Sequence, residues 1–274
     1  MKIPTLAVGI SLIVSSLAGV SASKADQLAD IKAKGAITCG LTIVQPFANY
    51  DPTSRELVGY EVDLCRQLAE KLGVRMEYKV VAADVRVPEL IQGRIDVLVA
   101  LMSYTKERAE LIDFSNAYVE DGFYFIKLKD SPLKSVEELS DKRISAAKGS
   151  LYATAAARKF PNARVITFDD GPLAFLALQQ GKVDATIQRS SAAVGLQLRS
   201  PPGSPQIELM QPPLIVQGSG FGVRRGEPNF LAYLNGFLDT FESSGQAQAL
   251  WDKWLGKDSA YKLERPFKMG RQLG

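Results

Sequence analysis

The chain has 274 residues, of which 46% are apolar and 23% are charged, and its net charge is +3 at neutral pH. This composition is typical of a globular protein with a real core, and the charge is too small to indicate nucleic-acid binding. Histidine is absent and only two cysteines occur, which removes the commonest general base, the commonest transition-metal ligand and a cysteine-based zinc site.

The first 25 residues have the pattern of a secretory signal peptide. Lys2 precedes an apolar and small-residue stretch from Ile3 to Val20, and a short polar stretch then ends at Ala25. Cleavage after Ala22 or after Ala25 fits, and Ala25 is preferred because it leaves a spacer of about five residues. A membrane anchor is the alternative, but Ser and Gly dilute the apolar run below a stable span. We therefore expect export to the periplasm and removal of residues 1–25.

Strands and helices alternate along the next part of the chain. Residues 36–41 form a short apolar run after Gly35, which is typical of a buried strand. From Tyr60 to Leu72 the apolar residues recur every three or four positions, which predicts a helix that ends at Gly73. The pattern then predicts a strand at 74–81, a short helix at 87–92 and a continuous apolar strand at 95–100.

The same alternation returns in the second half. It predicts helices at 135–139, 152–159 and 172–180, and strands at 143–147, 163–168 and 183–187. The Pro, Gly and Ser residues at 199–205 predict a surface loop. A strand at 220–223 and helices at 228–243 and 246–255 complete the pattern. Two α/β blocks in series predict an α/β protein with two lobes, each with its own sheet.

Five short motifs follow one another in a fixed order. They are Gly40 with Pro46-Phe47; Gly59-Tyr60-Glu61-Val62-Asp63-Leu64; Gly93-Arg94-Ile95-Asp96-Val97 with Ser103-Tyr104-Thr105-Lys106-Glu107-Arg108; Asp113-Phe114-Ser115-Asn116-Ala117-Tyr118; and residues 220–256. In order and spacing they resemble the polar-amino-acid class of periplasmic binding proteins that serve ABC importers, solute-binding family 3. The resemblance covers essentially residues 26–256.

The resemblance implies the two-lobed type II periplasmic-binding-protein fold, α/β in class, with two hinge crossings. Lobe one would contain residues 26–119 and 219–274, and lobe two residues 120–218. A small-molecule ligand bearing a carboxylate would bind between the lobes, and a hinge motion would close the cleft. The partners would be the membrane subunits of an ABC transporter, and the protein would be a monomer without a cofactor or enzymatic activity.

The same resemblance bears on the two cysteines. Cys39 falls on the first predicted strand and Cys65 on the helix that should pack over it. Some family members carry cysteines at these two places, and the periplasm permits a disulfide. Two buried thiols that pack without a bond are the alternative.

Arg108 is the first candidate for ligand binding. The matching Arg of the family forks onto the ligand's α-carboxylate, which a planar guanidinium does with two parallel hydrogen bonds. Ser103 would add its hydroxyl and N–H groups, and Thr105 would shape the turn. The alternative for Arg108 is a surface ion pair with Glu107 or Glu110.

Two further positions match the family. Phe47 would line the cleft as an apolar wall, or would instead be a core aromatic. Gly149-Ser150 follows a predicted strand and resembles the family's Gly-Ser/Thr loop, where N–H groups at a helix start meet a carboxylate. Ser150 also fits a helix N-cap, and the two roles are compatible.

One departure from the family concerns the ammonium group of the ligand. Members that bind α-amino acids usually carry an Asp shortly after the V-D-A strand, whereas here the strand at 183–187 leads to Arg189. An unpaired Arg beside a desolvated ammonium is costly. Two arginines, one in each lobe, therefore favour a ligand with two anionic groups, such as a dicarboxylate or an acidic amino acid. The alternative is that Arg189 points to solvent or pairs with Asp169 or Asp170.

Two other functions are compatible with the resemblance. Some proteins of this fold are periplasmic dehydratases that act on cyclohexadienyl acids, and such a site needs a carboxylate general acid in the cleft. The candidates for that acid are Asp84, Glu120, Asp121 and Asp169. The third hypothesis is a partner protein of a periplasmic oxidoreductase or sensor that has lost ligand binding.

Overall fold

A computed structural model describes residues 26–82, 85–148 and 150–273. The predicted signal peptide, the candidate acid Asp84 and the predicted site residue Gly149 lie outside the described residues. Within the described part of the chain, no helix has the length and apolar character needed to span a bilayer.

The described residues form short strands, two long strands and helices of up to 16 residues. In chain order the strands are β1 (Ala36–Leu41), β2 (Asn49–Tyr50), β3 (Leu57–Val58), β4 (Arg75–Val80), β5 (Val97–Leu98), β6 (Ile112–Leu128), β7 (Arg143–Ala147), β8 (Arg164–Phe168), β9 (Ala185–Arg189), β10 (Ile207–Leu209) and β11 (Ile215–Arg224). The helices are α1 (Gln27–Lys34), α2 (Tyr60–Leu72), α3 (Arg86–Ile91), α4 (Lys106–Ala109), α5 (Leu151–Lys159), α6 (Gly171–Gln179), α7 (Ser190–Arg199), α8 (Pro228–Ser243) and α9 (Gln246–Trp254), and a 3-10 helix covers Val136–Asp141.

One sheet contains two parallel groups of strands joined by an antiparallel pair. Its order is β4-β1-β5-β11-β6-β9-β7-β8, and β10 pairs with β6. β1 is parallel to β4 and β5, and β7 is parallel to β8 and β9. β6 and β11 are antiparallel to each other, with Phe123 opposite Ile215 at one end and Ile112 opposite Arg224 at the other. The chain therefore passes from the first group to the second along β6 and returns along β11.

Each parallel group has its own core. Two clusters of buried apolar residues are built from residues 31–119 and 221–269. Two further clusters are built from residues 123–210. Parallel strands are normally covered on both faces, and the continuous apolar segments of β1, β7 and β9 fit this environment.

Helix α2 is fixed to β1 by packing and by a covalent bond. Its buried face includes Val62, Cys65 and Leu68, spaced as a helix face requires. A disulfide joins Cys65 to Cys39 on β1, with Cα atoms 6.7 Å apart. The bridged form of the cysteine pair is therefore the one that the structure contains.

The start of α2 depends on a glycine. Gly59 has φ of 145°, and a Cβ at this position would lie 2.2 Å from the carbonyl oxygen of Phe47. Only glycine fits such a close approach of two backbone segments. The other end of the helix closes at Gly73, whose φ is 71° and whose N–H bonds the carbonyl of Glu70.

A C-terminal tail, residues 257–273, contains no helix or strand and lies across β6 and β11. The N–H of Ala117 donates to the carbonyl of Arg271 at 2.7 Å, and Leu273 fills the space over Gly218 and Gly220. Nearer its start, Arg265 donates two hydrogen bonds of 2.7 Å to Glu242 at the end of α8. The tail is thereby attached both to the first core and to the two connecting strands.

Several predicted elements differ from the observed ones. The strand expected at 95–100 is shorter, Val97–Leu98, although the N–H groups of Asp96 and Val99 on either side of it still donate to carbonyls of β1. The strand expected at 220–223 is the last part of the longer β11. The final helix ends at Trp254, with Leu255 as its C-cap. The loop expected at 199–205 is largely exposed, as predicted.

Candidate functional site

A short loop leaves the carboxyl end of β5 and faces both groups of strands. This site loop, residues 99–103, begins where Val99 donates to the carbonyl of Gly40, and it ends at a β-bridge between Ser103 and Ser219 of β11. In its middle, Leu101 has φ of 45°, a left-handed conformation that is uncommon for a residue other than glycine. Such conformations persist where surrounding contacts hold them, and they concentrate at functional sites.

The contacts that hold Leu101 come from two buried side chains. Its N–H donates to Oε1 of Glu61 at 2.6 Å and lies 3.0 Å from the Tyr118 hydroxyl, which itself donates to the same Oε1. Glu61 and Tyr118 are both fully buried. Burial raises the pKa of Glu61 to about 8, although the hydrogen bond from Tyr118 acts in the opposite direction.

Arg108 turns towards the site loop. Its Nη1 donates to the carbonyl of Ser103 at 2.8 Å, and its N–H bonds Oγ1 of Thr105 at 3.2 Å, the N-cap of α4. The structure therefore brings together the three predicted residues Ser103, Thr105 and Arg108. Among the described residues, the surface ion pairs considered for Arg108 do not form.

Arg189 lies at the carboxyl end of β9 and reaches the site loop from the other group of strands. Its Nη2 is 3.4 Å from Oγ of Ser103, and its guanidinium lies 4.6 Å from the ring centroid of Phe123. Its Nη1 is 3.9 Å from Oδ2 of Asp121, too far for a hydrogen bond. Within the described residues this Nη1 is buried without a hydrogen-bond partner. Asp121 instead accepts hydrogen bonds from Ser190 and Ser191, both 2.9 Å.

The alternative partners of Arg189 do not engage it. Asp170 caps α6 through the N–H of Leu173 at 2.8 Å, and Asp169 is exposed. The Arg189 side chain is 20% exposed, so it does not point freely into solvent.

A third arginine, Arg86, was not indicated by any sequence motif. It begins α3, and its Nη1 donates to the carbonyl of Ala100 at 2.6 Å. Burial and the positive charge of Arg108 lower the pKa of Arg86, and Arg189 contributes in the same direction. Arg86, Arg108 and Arg189, the arginine cluster, thus each donate to a group of the site loop.

The arginine cluster has unused hydrogen-bonding capacity around it. Arg189 Nη1 and the hydroxyl of Ser219 are buried polar atoms without a partner among the described residues. Buried polar groups in folded proteins are nearly always paired with protein, water or ligand. Three guanidinium groups that converge on one loop, one of them with an unpaired buried nitrogen, have the chemistry to bind an anion with several oxygen atoms.

Two other predicted site residues make contacts of a different kind. Phe47 is 1% exposed and packs edge-on against Tyr60, with ring centroids 5.8 Å apart, which is the core placement that the sequence left open. Ser150 caps α5, accepting from the N–H of Ala153 at 3.3 Å and donating to the carbonyl of Ala147 at 2.6 Å. In the described structure, none of its hydrogen bonds reaches the arginine cluster.

Among the described acids considered for catalysis, Asp169 is exposed and the other two are engaged in other interactions. Glu120 pairs with Arg271 of the tail, and Asp121 accepts from two serines, as described above. Glu61, which the sequence presents only as part of a motif, is the carboxyl group in contact with the site loop. No group of three or more metal-ligating side chains occurs among the residues that the structure describes.

Comparison with known proteins adds three findings. Residues 37–257 match the profile of the bacterial extracellular solute-binding proteins, family 3. The chain is 31% identical over 243 residues to the ABC transporter glutamine-binding protein GlnH of Bacillus subtilis (strain 168), covering 87% of this chain and 88% of that protein. It is 28% identical over 250 residues to the L-cystine-binding protein TcyJ of Escherichia coli (strain K12), covering 89% and 93%.

A solved structure resembles the chain over nearly the same extent. It is an ancestral amino acid-binding protein, described as a precursor of cyclohexadienyl dehydratase, with a TM-score of 0.66 and 27% identity. The match covers 85% of this chain and all of that one. The likeness confirms the predicted α/β fold of the type II periplasmic binding proteins.

Proposed function

The chain belongs to family 3 of the bacterial extracellular solute-binding proteins, and from that premise we propose that it is the binding component of an ABC importer for a small ligand with two anionic groups. An acidic amino acid or a dicarboxylate has this chemistry. The observation that carries the proposal is the convergence of Arg86, Arg108 and Arg189 on the site loop.

Charge balance supports an anionic ligand. The nearest carboxylate to Arg189 is Asp121, at 3.9 Å, and it is already bonded to two serines. Three arginines therefore share few acidic partners at the site loop. A charged ligand that supplies carboxylate oxygens would pair with guanidinium groups through short, charge-assisted hydrogen bonds. A ligand ammonium beside Arg189 would meet repulsion instead.

We further propose that binding draws two lobes together. Lobe one would be residues 26–119 and 219–274, and lobe two residues 120–218, with β6 and β11 as the crossings. Support comes from the separate cores of the two strand groups and from the contact of Arg189 with Ser103, which joins residues of the two proposed lobes. A ligand that bridges Arg108 and Arg189 would stabilise the closed arrangement.

The proposal does not include catalysis. The ancestral protein described above is an amino acid-binding protein and a precursor of a dehydratase, so the dehydratase hypothesis stays as the competing function. Glu120 and Asp121, two of the acids considered for that role, are held in other interactions, and the arginine cluster provides positive charge for binding. We also propose that residues 1–25 direct export to the periplasm, where the protein acts as a monomer with the transporter's membrane subunits.

A thermal-shift screen tests the ligand class. Dicarboxylates, acidic, neutral and basic amino acids, and aromatic acids would be compared at equal concentration. A true ligand at 100 times its dissociation constant stabilises the folded state by about 2.7 kcal/mol. We expect a shift with a dicarboxylate or an acidic amino acid. A shift only with neutral or basic amino acids would refute the proposal, and turnover of the shifting compound would favour the dehydratase.

Three substitutions sharpen the screen. Arg108→Ala should abolish the shift, because Arg108 would hold one carboxylate. Arg189→Asp should abolish binding of a dicarboxylate, and unchanged binding would exclude Arg189 from the site. The matched control is Arg75→Ala on β4, since that side chain is 70% exposed and pairs with Glu77. The control should leave the shift unchanged.

A further inference from the structure

The carboxyl group of Glu61 is buried directly against the site loop. It is 0% exposed, and its Oε1 accepts from Leu101 N–H and from the Tyr118 hydroxyl. Its Oε2 has no hydrogen-bond partner among the described residues. An ionised carboxylate with one bare oxygen in a buried site is poorly stabilised unless positive charge lies nearby.

Two positively charged side chains act on Glu61. Arg86 from α3 and Arg189 from β9 both favour the ionised form of Glu61. The other groups that face it are the Tyr118 hydroxyl from β6, Tyr60 from its own helix, and the N–H of Leu101. Arg86 and Arg189 are also two of the three members of the arginine cluster. Glu61 therefore shares its counter-charges with whatever anion occupies that cluster.

Burial and the two arginines act in opposite directions on Glu61. Burial favours the neutral acid, and it raises the pKa of Glu61 to about 8 in the protein without ligand. The proton is thus gained or lost in a range close to neutrality. A change of charge at the arginine cluster then shifts the balance between the two forms.

We propose that Glu61 takes up a proton from solvent when an anionic ligand binds to the arginine cluster. The inference rests on the proposed function, because it requires an anion at the cluster. The negative charge of a ligand held by Arg108 and Arg189 beside Arg86 offsets the positive charge of Arg86 and Arg189, so the ionised Glu61 loses part of its stabilisation. The proton enters on Oε2, the free oxygen, and leaves the two hydrogen bonds to Oε1 in place. Glu61 does not touch the ligand and acts as a positioning residue that couples binding to pH.

The consequence for affinity has a definite sign. Below the pKa of the ligand-free protein, Glu61 already carries its proton and binding requires none. Between that pKa and the higher pKa of Glu61 in the complex, binding is accompanied by proton uptake and becomes weaker as pH rises. If the ligand raises the pKa of Glu61 by one unit, the dissociation constant increases about tenfold from acid to alkaline conditions.

Calorimetric titration of the full chain tests the inference. L-Glutamate and succinate would be titrated at pH 6.5 and pH 9 (roughly a unit or more either side of the Glu61 pKa) in pairs of buffers with different ionisation enthalpies. The dependence of the binding heat on the buffer gives the number of protons taken up. We expect little uptake at the lower pH, uptake of roughly 0.4 proton at the higher pH for a one-unit rise in the pKa of Glu61, and weaker binding there.

Two variants assign the proton to its residue. Glu61→Gln keeps an acceptor for Leu101 and Tyr118 but cannot ionise, so it should bind at both pH values with no proton uptake. Asp121→Asn removes the other buried carboxyl group near Arg189 and should retain the uptake. If Glu61→Gln does not fold, the infrared difference spectrum of the unmodified protein at pH 9 should gain a protonated-carboxyl band on ligand addition.

The outcomes separate the two proposals. Binding without proton uptake at the higher pH would overturn the role of Glu61 and leave the anionic ligand class intact. Uptake that persists in Glu61→Gln would also overturn it. If neither compound binds at any pH, the proposed function is refuted, and so is the coupling of ligand binding to the protonation of Glu61.

Discussion

The disulfide between Cys39 and Cys65 should contribute a measurable part of the stability of the first core. Its cysteines are 26 positions apart, and closing a loop of this length in the unfolded chain corresponds to about 3.5 kcal/mol at 25 °C. For a folded chain of about 250 residues, this free energy corresponds to a fall in melting temperature of roughly 7 °C. Reduction should therefore lower the free energy of unfolding by about 3.5 kcal/mol.

Guanidinium unfolding followed by tryptophan fluorescence is a suitable assay. Both tryptophans of the chain, Trp251 and Trp254, lie on α9, and Trp251 is buried in the core that contains the disulfide. The oxidised protein, the same protein with reductant, and the double variant Cys39→Ala, Cys65→Ala would be compared. The reduced protein isolates the effect of the cross-link, and the double variant adds the loss of two buried sulfur atoms.

A small difference in stability between the oxidised and reduced proteins would contradict this expectation. If oxidised and reduced proteins differ by less than about 1 kcal/mol, constraint of the unfolded chain is not the source of stability. A double variant as stable as the oxidised protein would lead to the same conclusion. The single variant Cys65→Ala should match the double variant to within about 1 kcal/mol, because the remaining thiol packs as a small apolar group.

Two further substitutions test other parts of the fold. Gly59→Ala should destabilise the protein by about 3 kcal/mol or more, because the new Cβ would meet the Phe47 carbonyl. Its control is Gly236→Ala within α8, where the new Cβ meets nothing within 4 Å and the free energy of unfolding should rise by about 0.5–1 kcal/mol. Both variants would be measured by thermal unfolding, and equal effects of the two changes would contradict the steric argument for Gly59. Glu242→Gln should cost about 2 kcal/mol at pH 7, because it breaks the paired hydrogen bonds to Arg265. Arg265 holds the pKa of Glu242 below its ordinary value of 4.5, so this stabilisation is present above pH 4.5 and is lost as pH falls through the lowered pKa. If wild type and variant differ in stability as much at pH 3 as at pH 7, the ion pair with Arg265 is not the source of the difference.

The helices with clear periodicity are well predicted from sequence. The spacing of apolar residues and the glycine after Leu72 predict α2 with its observed bounds, and Pro228 marks the start of α8. Long β6 is a different case, because its residues mix apolar, charged and glycine positions. Its conformation is set by partners far away in sequence, β9 and β11, which local patterns do not describe. Helix α7 is absent from the predicted elements because its first residues are Ser and Ala, so it lacks an apolar stripe.

The candidate site is predictable only where one local motif contains it. Ser103, Thr105 and Arg108 lie within six residues and fold into a single capped turn. Arg86 and Ser219 reach the same place from α3 and β11, and nothing in their local sequence indicates this. The departure at Arg189 is visible in the sequence, but its contact with Ser103 depends on the arrangement of the two strand groups.

The arginine cluster has a consequence for the handling of the protein. Guanidinium groups bind sulfate, phosphate and citrate through the same paired hydrogen bonds that they offer to carboxylates. A buffer anion at these groups competes with any added ligand, and the apparent dissociation constant then rises linearly with the concentration of the buffer anion. Dialysis into a weakly coordinating buffer before each titration would expose the true affinity. Measurements of this protein are comparable only when they share the same buffer anion.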